Sequence, residues 1–151
     1  MKTSQKGIEL IKQFEGFEAY PYQCPAGKLT IGYGHIIDRK YYDLRRKTSP
    51  ISEKEAENIL KKDVSIAEDI LQSSINAPLT QGKFDALVSL IYNWGGYHFR
   101  SSNGLQKLNA KDYSGASDEF FDATKGVVRI NGKISQGLVN RRKAELRLWN
   151  A

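Results

Sequence analysis

The sequence contains a single cysteine, Cys24, and this scarcity limits the chemistry that it can support. One thiol cannot form a disulfide within the chain. The only histidines, His35 and His98, are far apart and show none of the spacing typical of zinc ligands, so we expect no metal and no cofactor. A structural interpretation of Cys24, as a small buried core residue, stays open because free cysteine packs well in protein interiors.

The sequence also lacks a long apolar run. Its first residues, Met1 to Gly7, lead into a pattern with charges inside it. This start has neither the apolar core of a signal peptide nor the roughly 20 apolar residues of a membrane span. We therefore expect a protein that is not integral to a membrane and has no ordinary export signal, although a removed N-terminal segment stays open.

Acidic residues are in the minority: 17 Asp and Glu stand against 23 Lys and Arg, a net charge of +6. A positive field raises the local concentration of anionic polymers. The densest basic segments are Arg39-Lys40, Arg45-Arg46-Lys47 and Arg141-Arg142-Lys143. We expect each to form a solvated helix face, with some arginines of 137–149 lying against the protein in charge pairs. No base-reading motif accompanies them, so specific nucleic-acid binding is not expected.

The length of 151 residues, the hydrophobic content of 40% and the helical patterns of the sequence predict one compact, mainly helical domain. Ser52 and Glu55 form a capping-box signature before a long amphipathic stripe, and Thr80 precedes a second apolar helical pattern. Asn131-Gly132 between short apolar alternations predicts a β-hairpin. This hairpin is either a flap beside a cleft or a surface feature without a catalytic role.

Glu15 is the first candidate for chemistry. Ile8, Ile11 and Phe14 recur at helical spacing before it, and Gly16 follows as helix-ending glycines do. A carboxyl group at the negative end of a helix, among aromatic residues, suits a general acid. By its position alone, an ordinary exposed helix glutamate is the plainer interpretation.

The next twenty residues read as a small hairpin or meander, because prolines and glycines punctuate short alternating runs. Gly32 and Gly34 flank Tyr33 and would let the backbone run close to a ligand. Tyr33 and His35 could offer a sugar a stacking face and hydrogen-bonding groups. Taken singly, these residues are as well explained by a tight turn and a structural histidine.

The whole string EGFEAYPYQCPAGKLTIGYGH resembles the phage lysozymes, the endolysins of glycoside hydrolase family 24. Their motif is Glu, eight residues, Asp or Cys, five residues, Thr, and Glu15, Cys24 and Thr30 fit it. The resemblance continues in LTQGKFDALVSLIYNWGGYHF and GLVNRRKAELRLW, so it covers essentially the whole chain. It departs at residues 102–105, where Ser-Asn-Gly-Leu replaces a common Ser-Thr-Leu-Leu run.

The resemblance implies a lysozyme-like α+β fold over residues 1–151: a small N-terminal lobe with a β-hairpin region, a long joining helix, a helical C-terminal lobe and a cleft between the lobes. It also implies a muramidase that cuts between N-acetylmuramic acid and N-acetylglucosamine in peptidoglycan, with Glu15 protonating the leaving oxygen. We expect the substrate-binding residues to be Tyr33, Gly34, His35, Asn93 and Ser102. For Asn93, beside Trp94-Gly95-Gly96, a structural role in capping the turn is the favoured alternative.

Cys24 stands where glycosidases normally have a second carboxylate. An unperturbed thiol is largely neutral at neutral pH, so we expect Cys24 and Thr30 to orient a water by hydrogen bonding, with inversion at the anomeric carbon. The alternative is a covalent thiolate nucleophile, which needs a cation nearby, and Lys28 is the candidate.

The resemblance further implies a monomer that accumulates in the host cytoplasm and reaches the wall through a membrane lesion made by a holin. Two other interpretations stay open. A lytic transglycosylase also relies on one acid/base glutamate but forms an anhydro sugar instead of adding water. A catalytically silent wall-binding protein would keep the cleft and the basic surface without turnover.

Overall fold

The computed structural model describes residues 1–46 and 50–151. Lys47, the last residue of one predicted basic cluster, lies outside these ranges. The chain divides into two compact units. We call Ile11–Val64 the sheet unit, and Met1–Leu10 with Ser65–Ala151 the helical unit.

Helices dominate the described chain, and the predicted α+β class is confirmed. The helices are α1 (Gln5–Glu15), α2 (Arg39–Arg46), α3 (Glu53–Ser74), α4 (Gln81–Trp94), α5 (Gly96–Arg100), α6 (Asn103–Asn109), α7 (Tyr113–Phe121) and α8 (Gln136–Trp149). The strands are β1 (Glu18–Gln23), β2 (Leu29–Gly32), β3 (His35–Ile36), β4 (Arg129–Ile130) and β5 (Lys133–Ile134).

The sheet unit contains the predicted meander, an antiparallel sheet of order β1-β2-β3. Tyr22 faces Thr30 across the first pair of strands, and the register shifts between Glu18 and Tyr22. Pro21 lies in that irregular stretch, where its missing N–H costs no ladder hydrogen bond. The buried apolar side chains of this unit include Ile11, Ile31, Ile51, Ala56, Leu60 and Val64.

The predicted ends of two helices are confirmed. α1 ends at Glu15 because Gly16 takes the left-handed φ of 72°, and its N–H donates to the Lys12 carbonyl at 2.9 Å. α3 begins after Ser52, whose hydroxyl accepts from the Glu55 backbone N–H at 3.1 Å. The capping box therefore sets the start of the long helix, which runs for 22 residues.

The core of the helical unit is built on α4, whose residues Phe84 to Ile91 are all buried. Thr80 caps this helix as predicted, accepting from the Lys83 N–H at 3.2 Å. α4 packs against α8, and the buried side chains between the two helices include Ser89 of α4 and Glu145 of α8. The predicted apolar face of α4 is therefore only one part of a helix that is buried on nearly all sides.

The expectation that Arg141 and Arg142 form a solvated face is wrong: their exposed fractions are 4% and 0%. Both pair with Glu145, which is fully buried, so the other prediction for this segment, charge pairing against the protein, is confirmed. Arg142 Nη2 donates to Glu145 Oε1 at 2.8 Å, and Ser89 donates to the same oxygen at 2.7 Å. Burial lowers the pKa of Arg142, and the negative charge of Glu145 opposes that shift.

Arg142 and Glu145 also meet through a second pair of atoms. Arg142 Nε lies 2.6 Å from Glu145 Oε2 and forms an ion pair with it. The hydrogen bond through Nη2 and the ion pair through Nε together place the carboxylate against the guanidinium.

The predicted hairpin at Asn131-Gly132 is confirmed as β4–β5. Asn131 and Gly132 have φ of 51° and 79°, the positive values that a type I′ turn requires at both central positions. All four strand residues are exposed. Its role as a flap stays a prediction.

Candidate functional site

Glu15 is the last residue of α1 and is half-buried. Its carboxylate lies against Gly34 in the turn between β2 and β3, where φ is +77°. A Cβ added to Gly34 would lie 2.7 Å from Glu15 Oε1, a distance that carbon and oxygen do not tolerate. The predicted close approach at this glycine is therefore made by Glu15 itself, and contact of Gly34 with a ligand stays a prediction.

Cys24 lies at the start of the tight turn that joins β1 to β2. Its backbone N–H donates to the Lys28 carbonyl at 2.8 Å, and the Gly27 N–H donates back to the Cys24 carbonyl at 2.8 Å. The side chain is partly exposed and hydrogen-bonded, which is unlike the buried apolar cysteine considered above.

The turn also acts on the Cys24 sulfur. The pKa of Cys24 is lowered mainly by the Lys28 backbone N–H, which outweighs partial desolvation. The Ala26 N–H, the Thr30 hydroxyl and the Lys28 ammonium add to the shift. Backbone donors around the turn thus favour the thiolate, and Lys28 is the cation that the sequence indicated.

Thr30 is buried, with 3% of its surface exposed. Its hydroxyl donates to the Lys28 carbonyl at 2.9 Å and also lies within hydrogen-bonding reach of the Cys24 sulfur. A hydroxyl has one proton, so these two bonds compete as donors. A neutral Cys24 can donate to Thr30 while Thr30 donates to Lys28, whereas a thiolate draws the Thr30 proton to itself.

Tyr22 is a neighbour of these groups that the motif does not include. It faces Thr30 in the β1–β2 register, and Cys24 follows two residues later along the strand direction. Partial burial raises the pKa of Tyr22, and the charges of Glu18, Cys24 and Glu15 add to this effect in that order. Its phenol is therefore neutral. The signal that could have found Tyr22 was its alternation with Cys24 and its pairing across the Pro-Ala-Gly turn.

Tyr33 and His35 occupy structural positions. Tyr33 is 6% exposed, with its ring 5.6 Å from that of Phe17 and the Lys12 ammonium 5.4 Å from its centroid. His35 Nδ1 lies 2.7 Å from Asp63 Oδ2, a partner on α3 that no sequence pattern indicated. These contacts favour the turn and structural-histidine interpretations, and sugar contact by Tyr33 or His35 stays a prediction.

Asn93 and Ser102 belong to the helical unit. Ser102 caps α6, accepting from the Leu105 N–H at 3.1 Å, and donates to the Phe99 carbonyl at 2.6 Å. It lines an open pocket of about 490 Å³ that Trp94 also lines. Asn93 is exposed in the last turn of α4. Both keep their predicted role in substrate binding only as a hypothesis.

Within 1–46 and 50–151, no helix is long and apolar enough to cross a membrane. The same ranges contain no group of three or more His, Cys, Asp or Glu side chains that could hold a metal ion.

Comparison with known proteins gives matches over nearly the whole chain. The family model described as phage lysozyme matches residues 12–145. The endolysin of Acyrthosiphon pisum secondary endosymbiont phage 1 is 40% identical over 153 residues, which cover 100% of this chain and 99% of the relative. The endolysin of Bacillus phage PZA is 41% identical over 100% of this chain but 56% of its own, so the chain spans about half the length of that relative.

A solved structure is similar over a comparable range. The muramidase domain of SpmX from Asticaccaulis excentricus has a TM-score of 0.83 to this chain at 31% sequence identity. The match covers 99% of this chain and 98% of that domain. The likeness therefore extends to both compact units of the chain.

Proposed function

The chain belongs to the phage lysozyme family, and from this premise we propose that it cuts the β-1,4 bond between N-acetylmuramic acid and N-acetylglucosamine in bacterial peptidoglycan. Its class, a lysozyme that hydrolyses peptidoglycan, and its lysozyme-like α+β fold follow from family membership. The similar domain of SpmX is itself described as a muramidase, which supports the proposed bond.

In the proposed reaction, Glu15 is the general acid. It gives its proton to the departing oxygen as the glycosidic bond breaks, and the oxygen of a water bonds to the anomeric carbon from the opposite face. The anomeric configuration inverts because the water attacks from the face opposite the leaving oxygen, and the water releases one proton to solvent. The observation that carries this proposal is the position of the Glu15 carboxylate, which lies against Gly34 in the turn between β2 and β3.

Cys24 and Thr30 serve the water in this proposal. Support comes from their mutual hydrogen bond and from the turn that orients both groups. The lowered pKa of Cys24 also makes the thiolate more accessible, and this favours the alternative of a covalent nucleophile. Mass spectrometry of the intact protein during turnover separates the two roles: a covalent Cys24–sugar adduct is expected only if the sulfur bonds to the sugar, and it would overturn the water-placing role.

The test is a digest of purified peptidoglycan by the unmodified chain and by Glu15→Gln, followed by mass spectrometry of the released fragments. We expect reducing N-acetylmuramic acid ends from the unmodified chain and a fall of at least about 10²-fold in Glu15→Gln, the lower end for loss of a general acid. Glu18→Gln, an exposed carboxylate in β1, is the matched control and should retain activity.

Each other outcome selects a different interpretation. Anhydro ends would identify a lytic transglycosylase, in which no water adds. No cleavage by any folded sample would favour the wall-binding protein. Equal activity of Glu15→Gln and the unmodified chain would remove Glu15 from the mechanism.

We further propose that this activity causes host lysis, since relatives over the full length are endolysins. The enzyme would act as a monomer, accumulate in the host cytoplasm and reach the wall after a holin opens the membrane. The net charge of +6 supports binding to the anionic wall. Lysis on induction in cells with the holin, and its delay without it, would test this route.

A further inference from the structure

The two side chains proposed to place the water are short of hydrogen-bonding capacity. The Thr30 hydroxyl is 3% exposed and already donates to the Lys28 carbonyl at 2.9 Å. The Cys24 sulfur is a weak hydrogen-bonding group when neutral, and it also draws on Thr30. An ordered water typically makes about three hydrogen bonds, so this pair leaves at least one hydrogen bond of the water for another group.

Tyr22 is placed to give that help. In the antiparallel register it lies directly opposite Thr30, so the two side chains share one face of the β1–β2 pair. Cys24 is two residues beyond Tyr22, and the pairing of its N–H with the Lys28 carbonyl continues the ladder to that position. Because side chains alternate along a strand, Cys24 falls on the same face. The phenol of Tyr22, the thiol of Cys24 and the hydroxyl of Thr30 therefore share one face of this strand pair.

The protonation state of the Tyr22 phenol allows it to hydrogen-bond to a water. The pKa of Tyr22 is raised, first by partial burial and then by the charges of Glu18, Cys24 and Glu15. Tyr22 therefore keeps its proton and can both donate and accept a hydrogen bond, which the Thr30 hydroxyl is less free to do. Tyr22 is also only half-buried, so water can reach it.

We propose that the Tyr22 hydroxyl is a positioning residue for the attacking water, acting together with Cys24 and Thr30. This inference rests on the proposed hydrolysis. Tyr22 does not remove a proton from the water. It holds the water oxygen in line with the anomeric carbon while Glu15 protonates the leaving oxygen.

Tyr22→Phe tests the inference because it removes only the hydroxyl. We expect kcat on soluble peptidoglycan fragments to fall about 10- to 100-fold with KM within about twofold, because a misplaced reactant costs up to about this much. Tyr20→Phe is the matched control: Tyr20 is in the same strand, 54% exposed, and should behave as the unmodified chain. Thermal unfolding of both variants shows whether either substitution alters the fold.

A second measurement separates positioning from a structural role. Reactions with added methanol give a methyl glycoside in competition with the reducing sugar. If Tyr22 places the water, the ratio of methyl glycoside to reducing sugar rises in Tyr22→Phe and stays unchanged in Tyr20→Phe. An unchanged ratio, or a loss that is confined to KM, would overturn the inference.

The failure of the inference and of the proposed function are distinguishable. If the unmodified chain produces Glu15-dependent reducing ends and Tyr22→Phe matches Tyr20→Phe, only the inference fails. If the unmodified chain produces no such ends, the proposed hydrolysis fails first, and the role of Tyr22 fails with it.

Discussion

Polar side chains gather in two regions of this molecule and experience opposite surroundings. In the sheet unit, Cys24 is partly exposed and surrounded by backbone N–H groups of a turn. In the helical unit, Arg142 and Glu145 have no exposed surface and satisfy each other. Water can reach Cys24, whereas Arg142 and Glu145 are shielded from water and stabilise the fold. Access of water to the polar groups therefore distinguishes the two regions.

The same lesson holds for the basic segments. Arg39 lies on the exposed helix α2, where it pairs with Asp43 and lies over the Tyr42 ring. Arg141 and Arg142 are equally basic in sequence but buried in α8. The Arg39 side chain is open to direct contact with an anionic polymer, whereas the side chains of Arg141 and Arg142 are not.

The largest effect is expected from Glu145→Ala, which would remove the buried carboxylate that pairs with Arg141 and Arg142. Two buried guanidinium groups would lose their carboxylate, and removal of one partner of a buried pair typically costs about 3–5 kcal/mol. The measurement is the free energy of unfolding in urea. Glu119→Ala is the control, since Glu119 and its partner Lys107 are 36% and 42% exposed and such pairs contribute about 1 kcal/mol or less.

Equal losses in Glu145→Ala and Glu119→Ala would remove the distinction between buried and exposed pairs. If Glu145→Ala does not fold, Ser89→Ala provides a milder variant. It deletes one hydrogen bond to the buried carboxylate, made at 2.7 Å, and should cost about 1.5–3 kcal/mol as a bond to a charged group.

The next effect concerns activity. Gly34→Ala would put a Cβ 2.7 Å from Glu15 Oε1 and displace the proposed acid, so we expect about a 10²-fold loss of kcat. Gly16→Ala is the control: it has the same left-handed φ but no heavy atom within 4 Å of the added Cβ. Both variants should lose some stability through backbone strain, and only Gly34→Ala should lose most of its activity.

A smaller effect is expected at the half-exposed pair of the sheet unit. His35 and Asp63 have side chains that are 34% and 23% exposed and lie 2.7 Å apart. Asp63→Asn keeps a hydrogen-bonding oxygen but removes the charge, and should cost about 1 kcal/mol of unfolding free energy because solvent screens the pair. A loss as large as that of Glu145→Ala would show that exposure does not set the strength of these pairs.

The smallest effect is a shift in titration at Cys24. Its folded pKa is lowered, so the thiolate forms at lower pH in the folded chain than in the unfolded chain. The pH midpoint of Cys24 alkylation should therefore be lower without urea than in urea, since the thiolate is the reactive form. Thr30→Val removes one hydrogen-bond donor to the Cys24 sulfur. It should raise the pH midpoint of alkylation in the folded protein part of the way towards the midpoint in urea. Coincident midpoints in folded and unfolded protein would contradict the lowered pKa.

Local signals in the sequence predicted much of the fold. The end of α1 followed from Gly16, the start of α3 from Ser52 and the β4–β5 turn from Asn131-Gly132. Each of these depends on the conformational preference or hydrogen bonding of residues within a few positions. The same locality explains why the Glu15, Cys24 and Thr30 motif was visible, since Glu15 precedes one short meander and the other two residues lie within it.

The sequence by itself therefore determined the helix and turn boundaries, the α+β class, the family and the candidate acid. Tertiary structure decided that Arg142 is buried, that Tyr33 packs against Phe17 and that His35 lies against Asp63. The reason is physical. Helix caps and turns are determined by neighbouring residues, whereas burial and contacts between different elements depend on groups that lie farther apart in sequence. Only folding brings those groups to one place.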